Sequence, residues 1–212
     1  FENPAMIWVE DGEQLWSEVQ GNAGKSCQSC HSDAGKSMEG VGATYPKFDR
    51  KTKKLKNLEQ QINTCRTQRM QAAPWKYESN ELLQMTIYVR HQSRGMPVNV
   101  SIDDEAAPFF AKGKSLYYQR LGALDMACKH CHEDHAGKRA RANLLSQGHI
   151  NGFPTYRFGW QKPGSLHRRF RGCNKSIRSQ PLKYGADDYV NLELYIAWRG
   201  RGLPVETPSV RN

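Results

Sequence analysis

Two groups of cysteine and histidine in this chain share one spacing. Cys27-Gln28-Ser29-Cys30-His31 lies in the first half and Cys128-Lys129-His130-Cys131-His132 in the second. Residues three and four apart share a helix face, so each cysteine pair can form thioethers to the two vinyl groups of one haem. The histidine at the fifth position then sits beneath the ring and ligates its iron. Zinc or a redox-active dithiol could use the same motif, but zinc needs four converging ligands, and two copies at matching places argue against accident. Two covalently bound haem c groups are therefore expected, at Cys27/Cys30 and Cys128/Cys131, with His31 and His132 as proximal ligands.

The remaining two of the six cysteines, Cys65 and Cys173, fall one per half at corresponding places. They bear on the sixth iron ligand. Methionine commonly fills that position, yet no methionine follows Cys131, and Met126 precedes its own motif by two residues. For the second haem this leaves Cys173, His135, His149, His167 or a lysine, with Cys173 favoured by its match to Cys65. A Cys65–Cys173 disulfide, or a buried inert thiol, is the competing use. For the first haem Cys65 is expected, with Met70 and Met96 as rivals.

Elements that place these residues repeat along the chain. Leu15 and Gly21 match Leu116 and Gly122, and Tyr45-Pro46 matches Phe153-Pro154. Tyr88 matches Tyr195, and Arg94-Gly-Met-Pro-Val98 matches Arg201-Gly-Leu-Pro-Val205. The pattern predicts a helix before each CxxCH (12–20 and 110–121) and a closing helix in each half (80–92 and 187–198). In the last of these Tyr189, Leu192, Tyr195 and Ile196 form one apolar stripe. Strand patterns are scarce. The expected fold is all-α, two tandem cytochrome c-like haem domains related by internal repeat. Residues 1–105 form the first and 106–212 the second, with the acidic, proline-containing stretch 101–108 read as a linker.

The chain has 212 residues, of which 38% are hydrophobic, so each half has a thin core that benefits from a covalent cofactor. No apolar run approaches a membrane span. Numbering from Phe1 rather than a methionine fits removal of an export signal, and c-haem attachment places the protein in the periplasm. The net charge of +10 attracts anions. The basic residues are scattered and carry no helix-turn-helix, RNP or zinc-finger pattern, so nucleic acid is not expected as a partner.

Both CxxCH motifs, the two extra cysteines and the run Arg169-Phe-Arg-Gly-Cys173-Asn174 together resemble the diheme SoxA family of bacterial sulfur oxidation, over essentially the whole chain. The resemblance implies His/Cys ligation at both haems and a thiosulfotransferase that joins thiosulfate oxidatively to a cysteine of a SoxYZ-like carrier. A SoxX-like monohaem cytochrome c would be the partner subunit, passing electrons to a downstream acceptor cytochrome. By position, Cys173 would be catalytic, carrying a persulfide as well as ligating iron, and Arg169 would hold the anionic substrate. The first haem would be distant from the chemistry. Arg168, Arg169, Arg171, Lys175 and Arg178 all lie near Cys173, and guanidinium forks suit sulfonate oxygens. The notable rivals are a diheme cytochrome that only transfers electrons and a thiosulfate dehydrogenase forming tetrathionate. His149 and His167, as single histidines, read as propionate partners or surface residues.

Overall fold

The structure is a computed structural model and describes residues 3–140 and 142–211. Nine α-helices carry it among the described residues: α1 (Ile7–Ser17), α2 (Cys27–His31), α3 (Ala34–Ser37), α4 (Leu58–Cys65), α5 (Asn80–His91), α6 (Ala107–Tyr118), α7 (Cys128–His132), α8 (Leu166–Ser176) and α9 (Asp187–Arg199). The fold is mostly helical. Among the described residues it also holds seven strands of two or three residues each. β1 (Lys47–Asp49) pairs antiparallel with β2 (Lys54–Lys56), and β3 (Arg139–Ala140) with β4 (Asn143–Leu144). β5 (Thr155–Arg157) sits between β6 (Lys162–Gly164) and β7 (Ser209–Arg211). Such short strands leave no alternating pattern to read, and β6 carries its Pro163 at a sheet edge, where a missing N–H costs no ladder bond.

The most extensive helix packing is α1 on α5 and α6 on α9, one pair in each half. Each crossing depends on a glycine. A Cβ on Gly12 would fall 2.6 Å from the Gln84 carbonyl oxygen, and one on Gly113 would collide with that of Asn191. The two glycines are equivalent in the repeat, and so are their partners.

The closing helices start and stop within a residue of expectation. The leading helices do not: α1 and α6 begin and end three to five residues earlier than predicted. Their exits are set by a tight turn in which Gln20 bridges Lys25, and Leu121 bridges Met126. Gly21 (φ +74°) and Gly122 (φ +72°) occupy these turns because a side chain there would strike Met70 O and Ala72, or Ile177 O and Ser179.

One core joins Val9, Trp16, Leu58, Met85, Ile87, Tyr88 and Val89. The other gathers Tyr117, Phe170, Tyr189, Leu194, Tyr195 and Val205, and it takes in Ala43, Leu55, Val98 and Val100 from the first half. The segment expected to be a linker is thus anchored: Val100 is buried and Ile102 packs on the second core. Pro108 starts α6 rather than ending a loose tether. The two Arg-Gly-x-Pro-Val segments pair with each other. Gly95 N donates to Val205 O and Gly202 N to Val98 O, while Val98 N donates to Leu203 O and Val205 N to Met96 O. Exchanging the halves reproduces this set of bonds.

Candidate functional site

Each CxxCH forms a one-turn helix. Ser26 and Ser29 cap α2 reciprocally, with Ser29 N donating to Ser26 Oγ (3.1 Å) and Ser26 N to Ser29 Oγ (3.0 Å). At α7 the corresponding cap is Ala127 N donating to His130 Nδ1 (2.8 Å). His132 Nδ1 lies 2.8 Å from the Ser146 carbonyl, which accepts its proton and leaves Nε2 as the lone pair for a metal. Gly148 (φ +76°) makes room for this, since a Cβ there would come within 2.9 Å of the ring. Burial first, and then the charges of Arg169 and Arg199, push His132 toward its neutral form, the ligating one; the Ser146 bond opposes them. In the first half Trp16 Nε1 donates to Ser32 O (3.0 Å), and its ring stands 5.8 Å from that of His31.

All six cysteines are free, so the Cys65–Cys173 disulfide is not formed. Burial, and then Cys65, raise the Cys27 thiol to about 11; burial, and then Cys173, raise Cys128 to about 12. Sulfurs so placed suit a neutral thioether better than a thiolate. Each third cysteine thus acts electrostatically on the first cysteine of the CxxCH in its own half. Among the described residues no three His, Cys, Asp or Glu side chains gather as tetrahedral zinc would require. Paired sulfurs on one helical turn, a histidine with its outer nitrogen committed and a cysteine acting from its own element are the set that a c-type haem takes.

The two third cysteines ride on equivalent helices. α4 is capped by Asn57, whose side chain accepts from Gln60 N (3.0 Å), and α8 by Ser165, which accepts from Arg168 N (3.2 Å). One turn before Cys65, Gln61 Nε2 donates to its Sγ at 3.5 Å. The residue at that place in the second half is Arg169, half-buried one turn before Cys173. A neutral amide thus donates to one sulfur, and a guanidinium residue stands one turn before the other.

The other arginines around Cys173 are committed elsewhere. Arg168 pairs with Glu78 (3.5 Å) and stacks on Trp160 (4.3 Å). Arg171 donates to the Leu182 carbonyl and lies over Tyr184. Lys175, in the last turn of α8, and Arg178, just beyond it, are exposed. On the first side Arg66 follows Cys65 directly but is turned to Ala73 O, Gln20 and the Trp75 ring, 3.5 Å away.

Of the alternative ligands, His167 is not a surface residue. It is 1% exposed, accepts from Gly185 N (3.0 Å), stacks on Tyr77 and lies 3.4 Å from Glu193. Burial, and then the charges of Arg199 and His132, push His149 toward its neutral form, and its side chain lies against Gly200 at the end of α9. His135 bonds the His130 carbonyl at 2.6 Å. Met70 is buried, and its carbonyl is taken by Ala23 N; Met96 Sδ lies toward Gly40. The sequence alone shows that no positive charge precedes Cys65 as the arginines precede Cys173; the match of Gln61 to Arg169 emerges when the two helices are aligned on their caps.

Similarity to known proteins points one way. The family described as "SoxA/TsdA, cytochrome c domain" matches residues 11–98. The "L-cysteine S-thiosulfotransferase subunit SoxA" of Pseudaminobacter salicylatoxidans is 50% identical over 213 residues, covering 100% of this chain and 74% of that protein. Its namesake from Paracoccus pantotrophus is 46% identical, covering 100% of this chain and 73% of that protein. The crystal structure of SoxXA from P. pantotrophus superposes with a TM-score of 0.95 at 46% identity, over 99% of this chain and 79% of that one. With the paired haem-type motifs, the matched third cysteines and full-length identity of this order, the chain belongs to the SoxA family.

Proposed function

We propose that this chain is the catalytic subunit of a thiosulfotransferase that joins thiosulfate to a cysteine of a SoxYZ-like carrier, in the periplasm, alongside a SoxX-like cytochrome subunit. Two haem domains, 1–105 and 106–212, would each hold one haem c. Cys27/Cys30 and Cys128/Cys131 supply the thioethers, His31 and His132 the proximal ligands, and Cys65 and Cys173 the distal ones. Haem bound in this way supplies a one-electron acceptor beside each distal sulfur. Arg169 holds the sulfonate end of thiosulfate, leaving its outer sulfur toward Cys173.

The terminal sulfur on Cys173, carried as a persulfide, bonds to the outer sulfur of thiosulfate, and two electrons leave for a partner cytochrome and then a downstream acceptor. The carrier's thiolate attacks that outer sulfur. Its bond to the persulfide's terminal sulfur breaks, the persulfide anion is restored on Cys173, and the carrier departs bearing the whole S–SO3 group. Atoms and charge balance with the partner cytochrome as the oxidant that takes the two electrons. The observation that carries this reading is the contrast between twins: Gln61 on Cys65, Arg169 at Cys173. A merely electron-transferring pair has no reason to charge one site alone.

The test is conjugation of thiosulfate to the carrier's cysteine, followed by intact mass with the partner cytochrome present. Cys173→Ala should abolish it. Retention of substantial conjugation would overturn the reading, and tetrathionate formed without any carrier would shift it to a thiosulfate dehydrogenase.

A further inference from the structure

We infer that the two halves share one buried proton, carried by Glu59 and bridged by a water to Arg90 and Glu193, whose binding is linked to reduction of both haems. The link to the haems rests on the proposed function; the proton site does not. The first observation is where the cluster lies. Glu59 and His167 are equivalent in the repeat, at the spacing that separates Cys65 from Cys173, and so are Leu58 and Leu166. Thr86 and Glu193 are equivalent at the spacing that separates Tyr88 from Tyr195. These residues meet where α4, α5, α8 and α9 come together, about the axis that exchanges the halves.

The second observation is a count of charge. Glu59, Arg90, Glu193 and His167 are each at most 7% exposed. His167 Nδ1 accepts from Gly185 N at 3.0 Å, so that nitrogen bears no proton and the ring is neutral. Two carboxyls then face a single buried cation, and a surplus buried charge is resolved by neutralising one of them. Glu193 is furnished as the carboxylate: Asn57 Nδ2 donates to it at 3.2 Å, and His167 Nε2 stands 3.4 Å away. Among the described residues no side chain hydrogen-bonds the Glu59 carboxyl, which leaves the proton there. Burial, and then the charge of Glu193, raise Glu59 to about 7. Tyr77, which donates to Asn57 Oδ1 at 3.2 Å and stacks on His167, is pushed upward by burial and does not titrate in that range.

The third observation is a cavity among these groups. Glu59, Thr86, Arg90 and Glu193 line a space of about 10 Å³ for the centre of a water molecule. A buried water needs two to four polar partners, and these four supply them. Arg90 is held in place by its Nε, which donates to Thr207 Oγ1 at 3.3 Å. Glu59 stands six residues before Cys65, and His167 six before Cys173, about 9 Å of helix in each case. A charge at this spot therefore acts on both distal ligands alike. Reducing either haem, with the electrons that thiosulfate conjugation supplies, adds one negative charge and tightens the hold on a proton drawn from solvent. Linkage is reciprocal, so both midpoint potentials fall as rising pH removes that proton.

The experiment uses the haem-loaded protein, Glu59→Gln and Glu193→Gln. Infrared difference spectra across neutral pH report the carbonyl stretch of a protonated buried carboxyl, and spectroelectrochemistry gives the potentials over the same range. The parent should lose one such band as pH rises through about 7, while both potentials fall together. In Glu59→Gln the band should be absent and the potentials level. Glu193→Gln leaves Arg90 a single carboxylate, so Glu59 should ionise and the band should again be absent. A band kept in either variant would overturn the proton site, and equal pH dependence of the potentials in parent and Glu59→Gln would overturn the link. Crystals of the parent should show one ordered water touching Glu59, Arg90 and Glu193, and its absence would overturn the bridge. If the unaltered chain conjugates nothing, the proposed function falls instead, and the infrared spectra still decide Glu59.

Discussion

At Cys65 and Cys173 one amino-acid type is set in two environments, and the neighbour one turn earlier makes the difference. Gln61 gives its sulfur a neutral donor at 3.5 Å, which stabilises a ligand without inviting an anion. Cys65→Ala should therefore remove the thiolate-type signal of the first haem while leaving thiosulfate conjugation largely intact, as low-temperature electron paramagnetic resonance and the conjugation assay would show. A first-haem signal unchanged in that variant would transfer the ligand role to Met70 or Met96. The paired cysteines and histidines stand out by spacing alone, because two thioethers to one haem would require that order along the chain. The match of Gln61 to Arg169 does not, because a repeat displays itself through identities and this pair matters where its two copies differ.

Helices α5 and α9 were legible because an apolar stripe and a glycine-proline stop are local signals. The ends of α1 and α6 were not, since their exits depend on turns packed against residues distant in the chain, Met70 and Ala72 for one and Ile177 and Ser179 for the other. The glycine crossings show the same non-locality. Gly113→Ala should force α6 off α9 and destabilise by at least about 1–3 kcal/mol, as overpacking does in a close-packed core. Gly172 offers the contrast: it lies in α8, where an added methyl would meet nothing within 4 Å. Gly172→Ala should gain up to about 1 kcal/mol from helix propensity. Thermal denaturation of the two variants measures both, and a Gly113→Ala as stable as the parent would contradict the close contact.

Across the whole molecule, the halves meet over a buried charged cluster that no motif announces. Glu59, Glu193, His167 and Arg90 are all buried, with Asn57 Nδ2 donating to Glu193 (3.2 Å) and Arg90 Nε to Thr207 Oγ1 (3.3 Å). Burial, and then the charge of Glu193, raise Glu59 to about 7, against the pull of His167 and Arg90. Glu59 thus binds its proton more tightly folded than unfolded. The stability this confers is full below the ordinary glutamate range and is lost as pH rises toward about 7, amounting to up to about 3 kcal/mol. Glu59→Gln should flatten the fall in urea midpoint between pH 5 and pH 8. A variant as pH-sensitive as the parent would show that the cluster titrates through another group.

The paired Arg-Gly-x-Pro-Val segments also bear on descent. A strand-like tail whose bonds are reproduced when the halves are exchanged is self-complementary. A single half carrying it would bind a second copy of itself through an isologous contact. Duplication and fusion of such a unit would preserve the contact while making it intramolecular. From then on a substitution no longer had to appear on both sides of the axis. That freedom allows a glutamine at position 61 while an arginine stands at position 169, each one turn before the third cysteine of its half.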